Sequence, residues 1–171
     1  MKKIFSLVLS LTIISGVCAA VLAYVDSITK DPIAQMRVQQ EQSAVKAVLP
    51  PGATEVVEAD GFFVGMNGKN DVIGYAAKGR DGGGYGGDIE LMVGFEKDKK
   101  AVVCYKMLAA SETPGLGMKL KTPEFADQFK GRNGISLKVK KDGGEVEAIT
   151  SATITSRAVC RAIADAQSKL K

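Results

Sequence analysis

The chain has 171 residues, 46% hydrophobic and 25% charged, and its 23 Lys and Arg outnumber 19 Asp and Glu for a net charge of +4. That balance excludes a disordered chain, and a charge this small, half of it carried by Lys2 and Lys3 ahead of the first apolar run, excludes a nucleic-acid footprint. Histidine is absent, which removes the usual general base, the usual haem ligand and most zinc patterns, so no hydrolytic triad, catalytic residue or metal site is expected.

From Ile4 to Val25 the sequence runs 22 residues without a charge, and about 20 apolar residues are needed to cross a bilayer. We read residues 1–25 as a short cytoplasmic start and one transmembrane helix. The competing reading is a cleaved secretory signal, since Val17-Cys18-Ala19 resembles a cleavage site, but the apolar run is longer than a usual signal core. Lys2 and Lys3 place the N-terminus in the cytoplasm by the positive-inside rule. The remainder then lies outside the cytoplasmic membrane, on either reading.

Residues 26–52 are expected to form a juxtamembrane helix and linker. Asp31-Pro32 has the form of a helix start, and Pro50-Pro51-Gly52 is a stop. From 53 to 171 a single domain is expected. Short β-patterned stretches fall at 54–59, 62–65 and 71–78, followed by a glycine-dense loop at 79–87 and strands at 89–95 and 101–108. The glycine loop lacks the Gly-Lys-Ser/Thr ending and following helix of a phosphate-binding P-loop. A helix at 123–130, strands at 136–140 and 145–149 and an amphipathic helix at 154–170 complete the pattern, with Ile154, Ala158, Ala162, Ile163, Ala166 and Leu170 on one face. The fold class is α+β, a mixed sheet with helices. Cys104 and Cys160 read as buried thiols, with a disulfide open if the compartment is oxidising.

Thr150-Ser151-Ala152-Thr153-Ile154-Thr155-Ser156 lies where a strand pattern gives way to the last helix. Free N–H groups and the positive end of the helix dipole suit a phosphate there, and Thr150, Thr153, Thr155 and Ser156 offer hydroxyls. Read locally, the same hydroxyls serve equally as helix caps.

The segment Val146–Ser156 resembles the flavinylation motif of FMN-binding domains. In that motif an acidic residue precedes a [Ser/Thr]-Gly-Ala-Thr core whose last threonine forms a phosphoester with FMN; here that position is Thr153. Glu147 stands where Asp is usual and Ser151 where Gly is usual. Glu112-Thr113-Pro114-Gly115-Leu116-Gly117 is similar to a loop of the G subunit of Rnf electron-transport complexes and the related C subunit of the sodium-pumping quinone reductase. Gly84-Tyr85-Gly86-Gly87 resembles the same family's glycine–tyrosine loop.

The resemblance implies covalent FMN on Thr153, with Thr150, Ser151, Ala152, Thr155, Glu112, Thr113, Leu116, Gly117 and Tyr85 around it. It implies an electron-carrying subunit of an ion-translocating ferredoxin:NAD oxidoreductase, a redox subunit rather than a catalyst on its own. Its partners would be other membrane subunits and a flavin transferase. The alternatives are the quinone-reductase C subunit, a non-redox extracytoplasmic module in which the hydroxyls are only caps, and a free-standing flavin reductase.

Overall fold

A computed structural model of the chain describes residues 2–171. The first helix, α1, runs unbroken over Lys2–Val48. Among the described residues it is the one helix long and apolar enough to cross a membrane, with a stretch of mean hydropathy 2.4, none of which is buried. The helix start expected at Asp31-Pro32 does not exist, because Pro32 sits inside α1. Proline removes one hydrogen bond, to the carbonyl four residues earlier. The strong helix formers Ala34, Gln35, Met36 and Arg37 that follow carry the helix onward.

Residues up to Gln40 form one compact unit and Glu41–Lys171 another. The span 26–52 is therefore divided, since Ala44, Val45, Val48 and Leu49 are buried in the core of the second unit.

That second unit is an α+β domain. Five strands, β1 (Glu55–Ala59), β2 (Phe62–Met66), β3 (Val72–Asp81), β4 (Ile89–Glu96) and β5 (Val102–Ala110), form one sheet in sequential order. Every neighbouring pair is antiparallel, so the sheet is a meander rather than mixed. Hairpin-length connections explain this, because a parallel crossover needs a dozen or more residues. After β5 come a 3-10 turn at Gly117–Lys121, the one-turn helix α2 (Pro123–Ala126) extended by a 3-10 turn at Asp127–Phe129, two more 3-10 turns at Gly134–Ser136 and Lys140–Asp142, and α3 (Thr153–Ser168).

The strands expected at 136–140 and 145–149 are not formed. Leu137, Val139, Val146 and Ile149 are buried there, the first pair two residues apart and the second three. The two runs, however, touch as strands only at the single parallel Val139–Val146 bridge, and the short connection between them, turning at Gly143 with φ 79°, cannot supply the crossover of a dozen or more residues that a parallel ladder needs.

Both faces of the sheet are covered. Ile89, Leu91, Val93 and Phe95 of β4 join Ala158, Val159, Ala162, Ile163 and Ala166 of α3 in the main core. Met92, between them in the strand, joins Val45, Val48 and Leu49 at the end of α1 on the other face. This is the two-residue period of a strand buried on both sides. Gly79 sets how closely α3 approaches β3, since a Cβ there would stand 2.0 Å from the carbonyl oxygen of Ala162.

The two cysteines of the domain belong to opposite faces: Cys160 to the main core and Cys104 to the α1 side. Both are free thiols, and burial raises both, Cys160 to about 11. Denatured but unreduced protein is expected to titrate the same number of thiols as fully reduced protein. A lower count before reduction would contradict the placement.

Candidate cofactor site

The register places Asp81 opposite Ile89 and Ile89 opposite Ala110. The β3–β4 loop and the exit from β5 therefore meet at one end of the sheet. Glu112, two residues past β5, is buried at 6% exposure. Its Oε1 accepts hydrogen bonds from the N–H groups of Tyr85 at 2.9 Å and Gly86 at 3.4 Å. Its Oε2 accepts from Thr155 Oγ1 at 2.9 Å. One carboxylate thus joins the glycine loop, its own loop and the first turn of α3. Gly117 closes against it, since a Cβ at that position would meet Oε2 at 2.3 Å.

The hydroxyls of Thr150–Ser156 separate by environment. Ser156 is fully buried, donating to the Ala152 carbonyl and accepting from the Ile149 N–H, each at 2.9 Å. Thr155 is fully buried and committed to Glu112. Thr150 is exposed and faces a separate hollow with Lys119, Glu124, Gln128 and Glu147. Thr153 is half-buried at the start of α3, and among the described residues its Oγ1 accepts a hydrogen bond from the Lys141 ammonium alone, at 3.4 Å. The N-cap residue is Ala152, which makes no side-chain cap, so among the described residues the hydroxyls do not cap α3 and its first-turn N–H groups stay available.

A cleft of about 510 Å³ opens at this point, lined by Tyr85, Glu112, Thr113, Leu116, Gly117 and residues 151–155. Of the residues that the resemblance puts around the cofactor, all except Thr150 line it. Ile154 lines it too, although helical periodicity assigns it to the buried face. Tyr85, Leu116 and Ile154 are 71%, 43% and 48% exposed around the opening. An apolar-walled cleft beside an uncapped helix start and an open hydroxyl fits a planar ring carrying a phosphate, and its size falls within the roughly 300–1,000 Å³ of small-molecule sites.

Residues 84–168 match the family described as FMN-binding domain. The G subunit of the ion-translocating oxidoreductase complex of Methanosarcina acetivorans is 32% identical over 95% of this chain and 92% of its own length. The chain belongs to this G-subunit family. The G subunit of the proton-translocating ferredoxin:NAD(+) oxidoreductase complex of Clostridium ljungdahlii is 34% identical over 96% of this chain and 90% of that protein. Among solved structures, the C subunit of the Na(+)-translocating NADH-quinone reductase of Parabacteroides distasonis has a TM-score of 0.51 at 26% identity, covering 63% of this chain and 59% of that one.

Two residues at which this G-subunit sequence departs from the motif have clear surroundings. Ser151 has φ 62°, the left-handed region that glycine enters without strain. Glu147 lines the hollow beside Thr150 and not the cleft, paired with Lys140, while Gln128 holds its backbone by accepting from its N–H at 2.7 Å. The glycine loop has a further tether, a two-pronged pair from Arg161 of α3 to Asp81 at 2.8 Å for each contact. The Arg161 hydrogen bond holds the Asp81 carboxyl below its ordinary range.

Glu112→Ala is expected to destabilise the full chain by about 3 kcal/mol in urea unfolding in detergent, because three donors lose their acceptor. Glu112→Gln keeps one acceptor and can donate to Thr155, so about 1 kcal/mol is expected. For Asp81, a depressed native pKa contributes stability above the unfolded aspartate value and loses it as pH falls through the native one. Asp81→Asn should therefore be less stable than wild type at pH 7, with the gap closing as pH drops below about 4.

Proposed function

We propose that this chain is the electron-carrying subunit of an Rnf-type ion-translocating ferredoxin:NAD oxidoreductase, with FMN joined to Thr153 by a phosphoester. The observation that carries the assignment is the sorting of hydroxyls. Thr155 and Ser156 are spent inside the protein and Thr150 faces another hollow, whereas Thr153 opens to the cleft at the first residue of α3. Ser151 also lines the cleft, but the family motif puts the ester on the last threonine of its core.

Esterification requires an activated donor. With a flavin dinucleotide, the Thr153 Oγ1–phosphorus bond forms as the anhydride bond to AMP breaks, and the hydroxyl proton passes to a base of the flavin transferase. Bound FMN supplies reversible electron transfer. Tyr85, Leu116 and Ile154 offer apolar surface to the ring, Glu112 fixes the loops that present it, and the first-turn amides of α3 face the phosphate. Attachment through the phosphate leaves the ring edge free for exchange with neighbouring membrane subunits and prevents loss of the cofactor. With Lys2 and Lys3 in the cytoplasm, α1 is a single-pass anchor in the cytoplasmic membrane and the flavin domain is extracytoplasmic. The G-subunit relatives match over nearly their whole length, which favours this reading over the quinone-reductase C subunit.

Co-expressed with a flavin transferase, denatured and viewed under ultraviolet light on a gel, wild type is expected to fluoresce, as are Ser151→Ala and Thr155→Ala. Thr153→Ala should be dark. A fluorescent Thr153→Ala band would overturn the residue assignment, and a dark wild type the covalent attachment itself.

A further inference from the structure

The surroundings of Thr153 include a group that the flavin motif does not contain. Side chains of the 3-10 turn Lys140–Asp142 reach the first two turns of α3. Asp142 accepts a two-pronged pair from Arg157, Nε to Oδ2 at 2.7 Å and Nη2 to Oδ1 at 2.6 Å. The turn's own backbone is closed as well: Asp142 and Gly144 donate to the Val139 carbonyl at 2.8 and 3.1 Å, and Lys140 donates to that of Val146 at 2.9 Å. Lys141 sits between these anchors. Its ammonium reaches Thr153 Oγ1 at 3.4 Å and, among the described residues, forms no ion pair. Its neighbours are already spent, Lys140 on Glu147 and Arg157 on Asp142.

We propose that Lys141 is the counter-charge of the phosphate on Thr153, held in register by the Asp142–Arg157 pair. The proposal rests on the phosphoester reading above. In such an ester Oγ1 becomes the bridging oxygen, so the ammonium already stands beside the phosphate group. A phosphodiester keeps one negative charge at neutral pH, and the start of α3 supplies only partial positive charge. A full cation completes the neutralisation through charge-assisted contacts. An unanchored surface lysine would lose much of this contact to side-chain entropy. Fixing the backbone on both sides of residue 141 leaves only the side-chain rotamers to be ordered when the contact forms. Lys141 is thus a binding residue, while Asp142 and Arg157 are positioning residues.

The test compares unmodified and flavinylated full-length chain in detergent for wild type, Lys141→Arg, Lys141→Gln and Asp142→Asn. The readout is the rise in melting temperature on flavinylation, which cancels any effect of a variant on the bare fold. Lys141→Gln is expected to lose about 3 °C of the wild-type rise. Lys141→Arg should keep it, Asp142→Asn should lose part of it, and high salt should shrink the difference between wild type and Lys141→Gln. A loaded Lys141→Gln with the full wild-type rise would overturn the role of Lys141 and leave the phosphoester intact. A wild-type chain that takes up no covalent flavin would overturn both.

Discussion

The buried carboxylate of Glu112 holds together the end of the domain where the cleft lies. A carboxylate so enclosed is costly unless its lone pairs are satisfied, and here they are met by the amides of Tyr85 and Gly86 and the hydroxyl of Thr155. The glycine loop, the loop after β5 and the start of α3 are distant in sequence, and this one side chain bonds to elements of all three. The Arg161–Asp81 pair adds a second tie between the glycine loop and α3. The requirement also explains Gly117, whose missing side chain is the space that the carboxylate fills.

The sheet makes this meeting possible. An antiparallel meander returns the chain to the same end after every second strand, which brings the β3–β4 loop beside the exit of β5. α3 then crosses the face formed by Ile89, Leu91, Val93 and Phe95, packing through alanines that permit close contact, and its first turn arrives at that same end. The end of α1 covers the opposite face through Val45, Val48 and Leu49. With both faces occupied, large apolar side chains around the cleft remain uncovered, and Tyr85, Leu116 and Ile154 are what a planar ligand would meet.

The charges around the cleft divide their work. Arg161 with Asp81 ties the glycine loop to α3, and Arg157 with Asp142 ties down the turn that carries Lys141. Both arginines project from one helix, four residues apart, and so lie on one face. The helix whose start faces the cleft also anchors the two loops beside it. Deformation of either loop is resisted through α3.

Much of this domain was legible in residue order. The five strands and the last helix follow from alternation and helical periodicity, because both patterns record burial along a regular element. The apolar run after Lys3 and the glycine and hydroxyl motifs are equally local. Periodicity failed at 136–149, where apolar residues are buried without a partner strand, at Pro32, where flanking helix formers outweigh a lost hydrogen bond, and at Ile154, whose face is left open by the cleft. Residue order alone determined the five strands and the last helix, and it named the candidate residues and the chemistry that they suit. Folding in three dimensions was needed to settle which hydroxyl is open, which are consumed by Glu112 and by the turn before α3, and which cation stands beside Thr153. Most of these outcomes depend on contacts between segments distant in the chain, and no local pattern encodes them.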